Sequence, residues 1–192
     1  MAELNRSISA FQNDSLGTED AVGISRKIEI GEVDLPTVTR DAIKRAKSVN
    51  SQLNAIAFED FNNALIRSSL PVPGQFHGVP TFIKDTDEVN GIPLYLGSRA
   101  LPGKKSRRFS KAAKQLLDTG LNHLGTTTTP EFGMTGTTES LKLAQHETLG
   151  ISPTLLAVHQ VEVRLWWHPA QSRLLMQMMV QAQFAYRLRA AG

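Results

Sequence analysis

The sequence contains no cysteine, which excludes disulfides, a thiolate nucleophile and thiolate metal ligation. Aromatic residues make up only 6% of its 192 residues. No apolar run approaches the length that spans a bilayer. The opening MAELNRSISAFQND lacks the basic stretch and apolar core of a secretory signal. These absences lead to the expectation of a cytoplasmic chain without a membrane partner. Charge of one sign is not concentrated either: the formal net charge is +3. The short cluster Lys104-Lys105 with Arg107-Arg108 reads as a solvated helix start, so no nucleic-acid partner is expected. His77 and His123 have no ligand-spaced neighbours, and GMTGTTES has no basic residue at phosphate-loop spacing. Neither metal nor cofactor is expected. One further absence is local. After Lys142 there is no Lys and no Asp, yet that segment holds both tryptophans, three of the five histidines and three of the five methionines. So abrupt a shift marks a boundary.

What is present before the boundary reads as an α/β layer. Apolar content of 41% and charged content of 20% suit a globular core. Residues 20–60 read as helix, turn, helix and short strand, with Gly31 as punctuation and Pro36 entering the second helix. In that helix Val38, Ala42, Ala46 and Val49 recur at helical spacing, and Lys44, Arg45 and Lys47 lie largely elsewhere around it. A helix is expected through Asn62 to Ser68, then a Ser/Pro/Gly loop, then a strand ending near Lys84 with a turn at Asn90-Gly91. RRFSKAAKQLLDTGLNHLGTTTT predicts a helix whose face is Phe109, Ala112, Ala113, Leu116 and Leu117, capped by Gly120. A strand follows over 121–127. Alternating helices and short strands define the α/β class.

Lys84 is the residue of this region that can do chemistry. It ends the apolar run GVPTFIK, whose neighbours can desolvate it; desolvation lowers a lysine pKa, and the neutral amine is a general base. Taken alone, a lysine at a strand end is ordinarily a surface cation. Asp85 can pair with it or orient the loop that follows. Thr126 to Thr129 read as β-branched strand material leading into a turn.

Taken together, HGVPTFIKDTDEVNGIPLYLGSRAL and LLDTGLNHLGTTTTPEFGMTGTTES resemble the N-terminal part of the amidase-signature family. The likeness runs from about Ser25 to Lys142. It lies in the order and spacing of GVPxxxKD, G(x)P, GSRAL and TPEF. The resemblance implies an incomplete amidase-signature fold, a partial mixed sheet flanked by helices. It also implies a serine amidohydrolase acting on small linear or cyclic amides, with Lys84 as the general base. In that chemistry the lysine deprotonates a serine beside a cis peptide bond, which activates a nucleophilic serine; an acyl-enzyme forms and water releases the acid. One departure is GTTTTPEF, where family members often carry Lys or Arg before Thr-Asn. A larger one is that the glycine- and serine-rich signature, due soon after TGTTESLK, is missing. Ser152 and Ser172 lie in no glycine-rich stretch that would let backbone donors approach a carbonyl.

The genetic code accounts for the tail. Let each alternative codon take the third base of one residue and the first two of the next. The junctions from Leu156 to His168 can then read Gly-Gly-Ser-Ser-Gly-Gly-Ser-Ala-Ala-Val-Val-Ala, with Trp166-Trp167 forced to Val and Trp167-His168 to Ala. His146 through Ser152 can give Arg-Asn-Pro-Trp-Asn-Leu. Met176 through Leu188 can give Ala-Asn-Asp-Gly-Ala-Gly-Ser-Ile-Arg-Ile-Pro-Ala, with Met178-Met179 forced to Asp. These strings resemble the missing signature and its later nucleophile stretch. The expected organisation is therefore an amidase portion, 1–142, and an atypical out-of-frame tail, 143–192. As amino-acid sequence the tail also suits a strand over 152–167 and a helix over 171–192, the latter able to bind a partner or a membrane surface.

Three functions follow. The first is a truncated, inactive amidase remnant prone to self-association through unpaired strand edges. The second is an active amidase, if the frame changes in translation or the sequence carries an indel. The third is a non-catalytic interaction module. Sequencing the locus should show that the codons of Ala157 to Glu162 spell the glycine-serine string in the alternative frame; any other codons there remove the frame reading.

Overall fold

The computed structural model describes residues 10–134; the strand and helix expected of the tail lie outside them. Helix α1 spans Ala21–Glu29, started by Asp20, whose side chain accepts the Gly23 N–H, and followed by Gly31 at φ +73°. Helix α2 spans Leu35–Leu53; Asp34 caps it by accepting from the Thr37 N–H, and Asn54 closes it in the left-handed region. Then come β1, Ile56–Glu59, and α3, Phe61–Ser68. After a loop follow β2, Pro80–Lys84; α4, Lys111–Asp118; and β3, Asn122–Thr127. A single 3-10 turn occupies Glu131–Gly133.

The sheet has the order β1-β3-β2. β1 is antiparallel to β3 and β2 is parallel to it, so the link from β2 to β3 must cross over, and it does so through α4. Side chains from α2 and α3, including Val38, Ala42, Phe61 and Ala64, form one core with Val79 and Leu124. A second core joins Ile83, Val89, Ile92 and Ala113, with Leu116 and Leu117 against them. The result is a partial mixed sheet flanked by helices, as the resemblance implies. Register is irregular in both pairings, and β3 carries an extra residue against β2 between His123 and Thr126.

Several local expectations need correction. Val38, Ala42, Ala46 and Val49 are buried as their spacing predicts, but Arg45 is buried with them at 6% exposure. Its guanidinium donates to Asp14 (Nε to Oδ2 2.7 Å) and to the carbonyls of Gln12 and Gly17, fastening the chain before α1 onto α2. A charge taken out of water needs such a complete set of partners. In α4 the buried face is Ala113 with half-buried Leu116 and Leu117, whereas Ala112 is exposed. Phe109 precedes the helix and is 40% exposed, because the Ser110 side chain caps α4 by accepting the Ala113 N–H. Thr119 is the C-cap, and Gly120, at φ +90°, follows it. The Lys104 to Arg108 cluster lies before α4, where Arg108 pairs with Glu88 at 2.7 Å.

A buried polar clasp ties α3 to the start of β3. The Asp60 carboxylate accepts from Asn63 Nδ2 at 2.6 Å and from Arg67 at 2.9 Å, with His123 Nε2 3.5 Å away. Arg67 also donates to Asn122 Oδ1 at 3.1 Å and to the His123 carbonyl. Asn122 Nδ2 donates in turn to the Ala64 carbonyl. Burial pushes the Asp60 pKa upward, but hydrogen bonds from His123, Asn63 and Arg67, with the charge of Arg67, outweigh it and hold the carboxyl below its usual range. A depressed folded pKa contributes stability above the unfolded value, about 3.9, and loses it as pH falls through the folded value. Urea titrations should therefore show the stability gap between wild type and Asp60→Asn widest above that pH and narrowing below it. A gap that widens on acidification would contradict the clasp.

Candidate functional site

The carboxyl ends of two parallel strands are where an α/β sheet usually presents its chemistry. Here β2 ends at Lys84, which stands opposite Thr127 of β3. The next N–H, of Asp85, donates to the Thr127 carbonyl at 3.0 Å, and the Lys84 carbonyl accepts from the Asp87 N–H at 3.0 Å. Lys84 is thus held at the strand end by backbone bonds on its own turn and across the sheet. Its side chain is half-buried.

Asp85 orients the loop that follows, one of the two roles open to it in the sequence. It is 1% exposed, and its carboxylate accepts the N–H groups of Tyr95 at 3.0 Å and Gly97 at 3.2 Å. A carboxylate buried this deeply must be hydrogen-bonded, and charge-assisted bonds to backbone N–H groups are strong. The loop 95–98 is thereby pinned beside the end of β2. It also grips the segment after β3. Ser98 Oγ donates to Glu131 Oε1 at 2.6 Å and accepts the Ala100 N–H at 3.1 Å. The Phe132 N–H donates to the Leu96 carbonyl at 2.8 Å. Gly97, at φ +64°, lies so close to the Thr129 carbonyl that a Cβ there would collide with it.

Three motifs separated in sequence therefore meet at one end of the sheet: GVPTFIKD supplies Lys84 and Asp85, GSRAL the pinned loop, and TPEF the segment it grips. The Ser98–Glu131 bond was not legible in the sequence, although both residues sit in motifs quoted for the resemblance. Thr126 and Thr127 lie in β3, and the hydroxyls of Thr126 and Thr129 are buried without a hydrogen-bond partner among the described residues.

The two histidines lie elsewhere. His123 belongs to the clasp. His77 Nδ1 is 3.0 Å from Ser25 Oγ, which is also 2.7 Å from the Gln75 carbonyl. A hydroxyl has one proton, and Gln75 takes it, so His77 Nδ1 is the donor to Ser25. Among the described residues no three His, Cys, Asp or Glu side chains stand together as metal ligands. None of the helices described is long and apolar enough to cross a membrane.

The family model described as Amidase matches residues 37–145. The chain is 38% identical over 136 residues to a putative amidase AmiC of Mycobacterium leprae (strain TN), covering 71% of this chain and 29% of that protein. It is 37% identical over 145 residues to a protein of the same description from Mycobacterium tuberculosis (strain ATCC 25618 / H37Rv), again covering 29% of the relative. Among solved structures, 6-aminohexanoate cyclic dimer hydrolase superposes with a TM-score of 0.62 at 26% identity, over 68% of this chain and 27% of that one. A bacterial aryl acylamidase of the amidase-signature family gives 0.58 at 25% identity, over 63% and 27%. The chain thus spans about three tenths of the length of the curated relatives it matches.

Asp85→Ala should leave the Tyr95 and Gly97 N–H groups without their acceptor, each abandoned buried donor costing about 1–3 kcal/mol. Hydrogen exchange should then accelerate at Tyr95, Gly97 and Ser98 ahead of β3. Unchanged protection of those amides would show that Asp85 does not hold the loop.

Proposed function

The chain belongs to the amidase family, and on that premise we propose that its 192 residues are the Lys84-bearing part of an amidase whose reading frame departs near Lys142-Leu143. In this reading residues 1–142 are amidase sequence and residues 143–192 are out-of-frame translation. The chain then holds the general base of carboxamide hydrolysis and lacks the serine pair that base would serve.

The observation that carries the reading is the continuity of the alternative frame. The junctions between Ser152 and Leu156 can give Ala-His-Ser-Pro, which joins the two strings on either side. Arg-Asn-Pro-Trp-Asn-Leu-Ala-His-Ser-Pro-Gly-Gly-Ser-Ser-Gly-Gly-Ser can then run unbroken from His146 to Val163. Two of three bases are fixed wherever the neighbouring codons allow no choice, so ordered agreement of this length has little room to arise by chance. The family match, which stops at residue 145, and the change of composition after Lys142 support the same boundary.

The chemistry of the parent reaction fits the geometry around Lys84. An amine at a strand end, half-buried and backed by a rigid loop, is suited to take a proton from a hydroxyl delivered to it. The attacking serine would add to the amide carbonyl, the C–N bond would break with the proton passing to the departing amine, and water would cleave the acyl ester. Glycines of the missing signature would bring backbone N–H groups against the carbonyl oxygen. Without that segment no described side chain replaces the attacking serine in its glycine-rich setting. The substrate class proposed for the parent is a small linear or cyclic carboxamide.

Purified chain should not turn over an aryl anilide, and Lys84→Ala should leave that background unchanged. Where the gene continues in that frame to the length of the relatives, adding one base at the Lys142-Leu143 junction should yield a product whose anilide hydrolysis disappears on Lys84→Ala. Robust turnover by the unaltered purified chain, lost in its Lys84→Ala variant, would overturn the proposal.

A further inference from the structure

The cations of this chain are unevenly placed. Between Glu88 and Asp118 there is no Asp or Glu, yet that stretch holds seven of the 21 Lys and Arg residues. All seven are exposed. Arg108 pairs with Glu88 at 2.7 Å and Lys114 with Asp118 at 2.7 Å. Lys104, Lys105, Arg107 and Lys111 stand in no ion pair among the described residues. Phe109 lies in the midst of them and is 40% exposed.

The backbone that carries these cations is fixed. The Gly91 N–H donates to the Ser106 carbonyl at 2.8 Å, and the Ser106 N–H to the Ile92 carbonyl at 2.9 Å. Lys105 stands opposite Pro93 in an isolated antiparallel bridge. Gly103 lies so close to the Tyr95 ring that a Cβ there would collide with it. At the other end the Ser110 N–H donates to the Glu88 carbonyl at 2.8 Å, and its hydroxyl donates to Asp87 Oδ1 at 2.7 Å. The run from Gly103 to Lys111 is therefore fastened at both ends, where the sequence pattern suggests only a solvated helix start. Like charges held together on a fixed backbone repel one another, and an anionic partner relieves that repulsion. The exposed start of α4 adds a partial positive charge to the same end of the run.

We propose that residues 103–111 form a binding surface for single-stranded nucleic acid. Lys104, Lys105, Arg107 and Lys111 meet its phosphates, and Phe109 stacks on a base. Cations spread along a fastened run suit a line of phosphates. Stacking on an exposed ring tolerates any base, so the surface tracks a strand without reading its sequence. Two other anionic partners fit less of what is there. A membrane surface calls for an apolar face beside the basic one, and Phe109 is the one bulky apolar side chain exposed along this run. An acidic peptide would engage the cations and leave the ring without a role. The surface belongs to the described scaffold alone and does not depend on the frame of residues 143–192.

The test is fluorescence anisotropy of the purified chain with a labelled oligo(dT) of about 16 nucleotides. Binding is expected at low salt with a Kd no weaker than about 100 μM. Four phosphate contacts to a single strand should make it about fifty-fold weaker as salt rises from about 50 to about 200 mM. The double variant Lys104→Glu/Arg107→Glu should abolish binding. Arg26→Glu/Lys44→Glu, which reverses two exposed cations elsewhere and gives the same net charge, should keep it. Phe109→Ala should lower the affinity about five-fold or more with the salt dependence unchanged. The proposal is wrong if the oligonucleotide does not bind, if the two double variants lose binding equally, or if Phe109→Ala leaves the affinity as it was. It is also wrong if vesicles rich in phosphatidylserine, or a poly-glutamate peptide, bind this run more tightly than the oligonucleotide does.

Discussion

A strand buried along its whole length must have both edges paired, and β3 is that strand: every residue from Asn122 to Thr127 is buried. Its backbone groups have no access to water, so neighbours on each side are obligatory. β1 fills one edge in antiparallel sense and β2 the other in parallel sense. The parallel pairing forces the crossover through α4 and sets Lys84 opposite Thr127. The position of Lys84 is therefore a consequence of how β3 satisfies its hydrogen bonds. Asp85 then extends the same logic beyond the sheet, because its N–H completes the β2–β3 ladder while its carboxylate holds the next loop.

Local signals were legible where the physics is local. Pro36 enters α2, Gly31 follows the end of α1, and the spacing of Val38, Ala42, Ala46 and Val49 marks the buried stripe. The errors arise where a partner lies far along the chain. Arg45 was assigned to the outer side of α2 because helical periodicity knows nothing of Asp14, 31 positions earlier. Phe109 was counted into the α4 face because the capping role of Ser110 was missed, and the cap sets where the helix begins; Ala112 lies within the helix but on its exposed side. The loop that Asp85 orients could be named only once Tyr95 and Gly97 stood against its carboxylate. Ser98 and Glu131 each sat in a quoted motif, but a bond spanning 33 positions cannot be read from spacing. Motif order identified the family without revealing which side chains touch.

The tail is a different kind of problem. Its residues can be fitted to a strand or a helix by propensity, as most mixed sequences can. On the proposed frame reading its information lies one level lower, in codons whose present products share none of the chemistry of the alternative ones. On the proposed reading the chain divides into a portion explained by packing and hydrogen bonding and a portion explained by translation. The proposed division falls on the reaction as well: the proposed base stands on the folded scaffold, and the attacking group would be encoded after it.

Gly125 adds a constraint on how such a sheet can change over time. It has φ +146°, and a side chain there would run into the Phe58 carbonyl. It lies within the stretch where β3 carries one residue more than β2. An extra residue reverses the in-and-out alternation of everything beyond it, so Asn122 and His123 keep one phase and Thr126 and Thr127 another. Point substitution cannot bring the two phases into line; only loss of a residue from β3 could, and that would turn Thr126 and Thr127 over while leaving the clasp at Asn122 and His123 where it stands. Substitution alone therefore changes the sheet's side chains without re-threading it, and the end of β2 that carries Lys84 keeps its place opposite Thr127 for as long as β3 keeps its length.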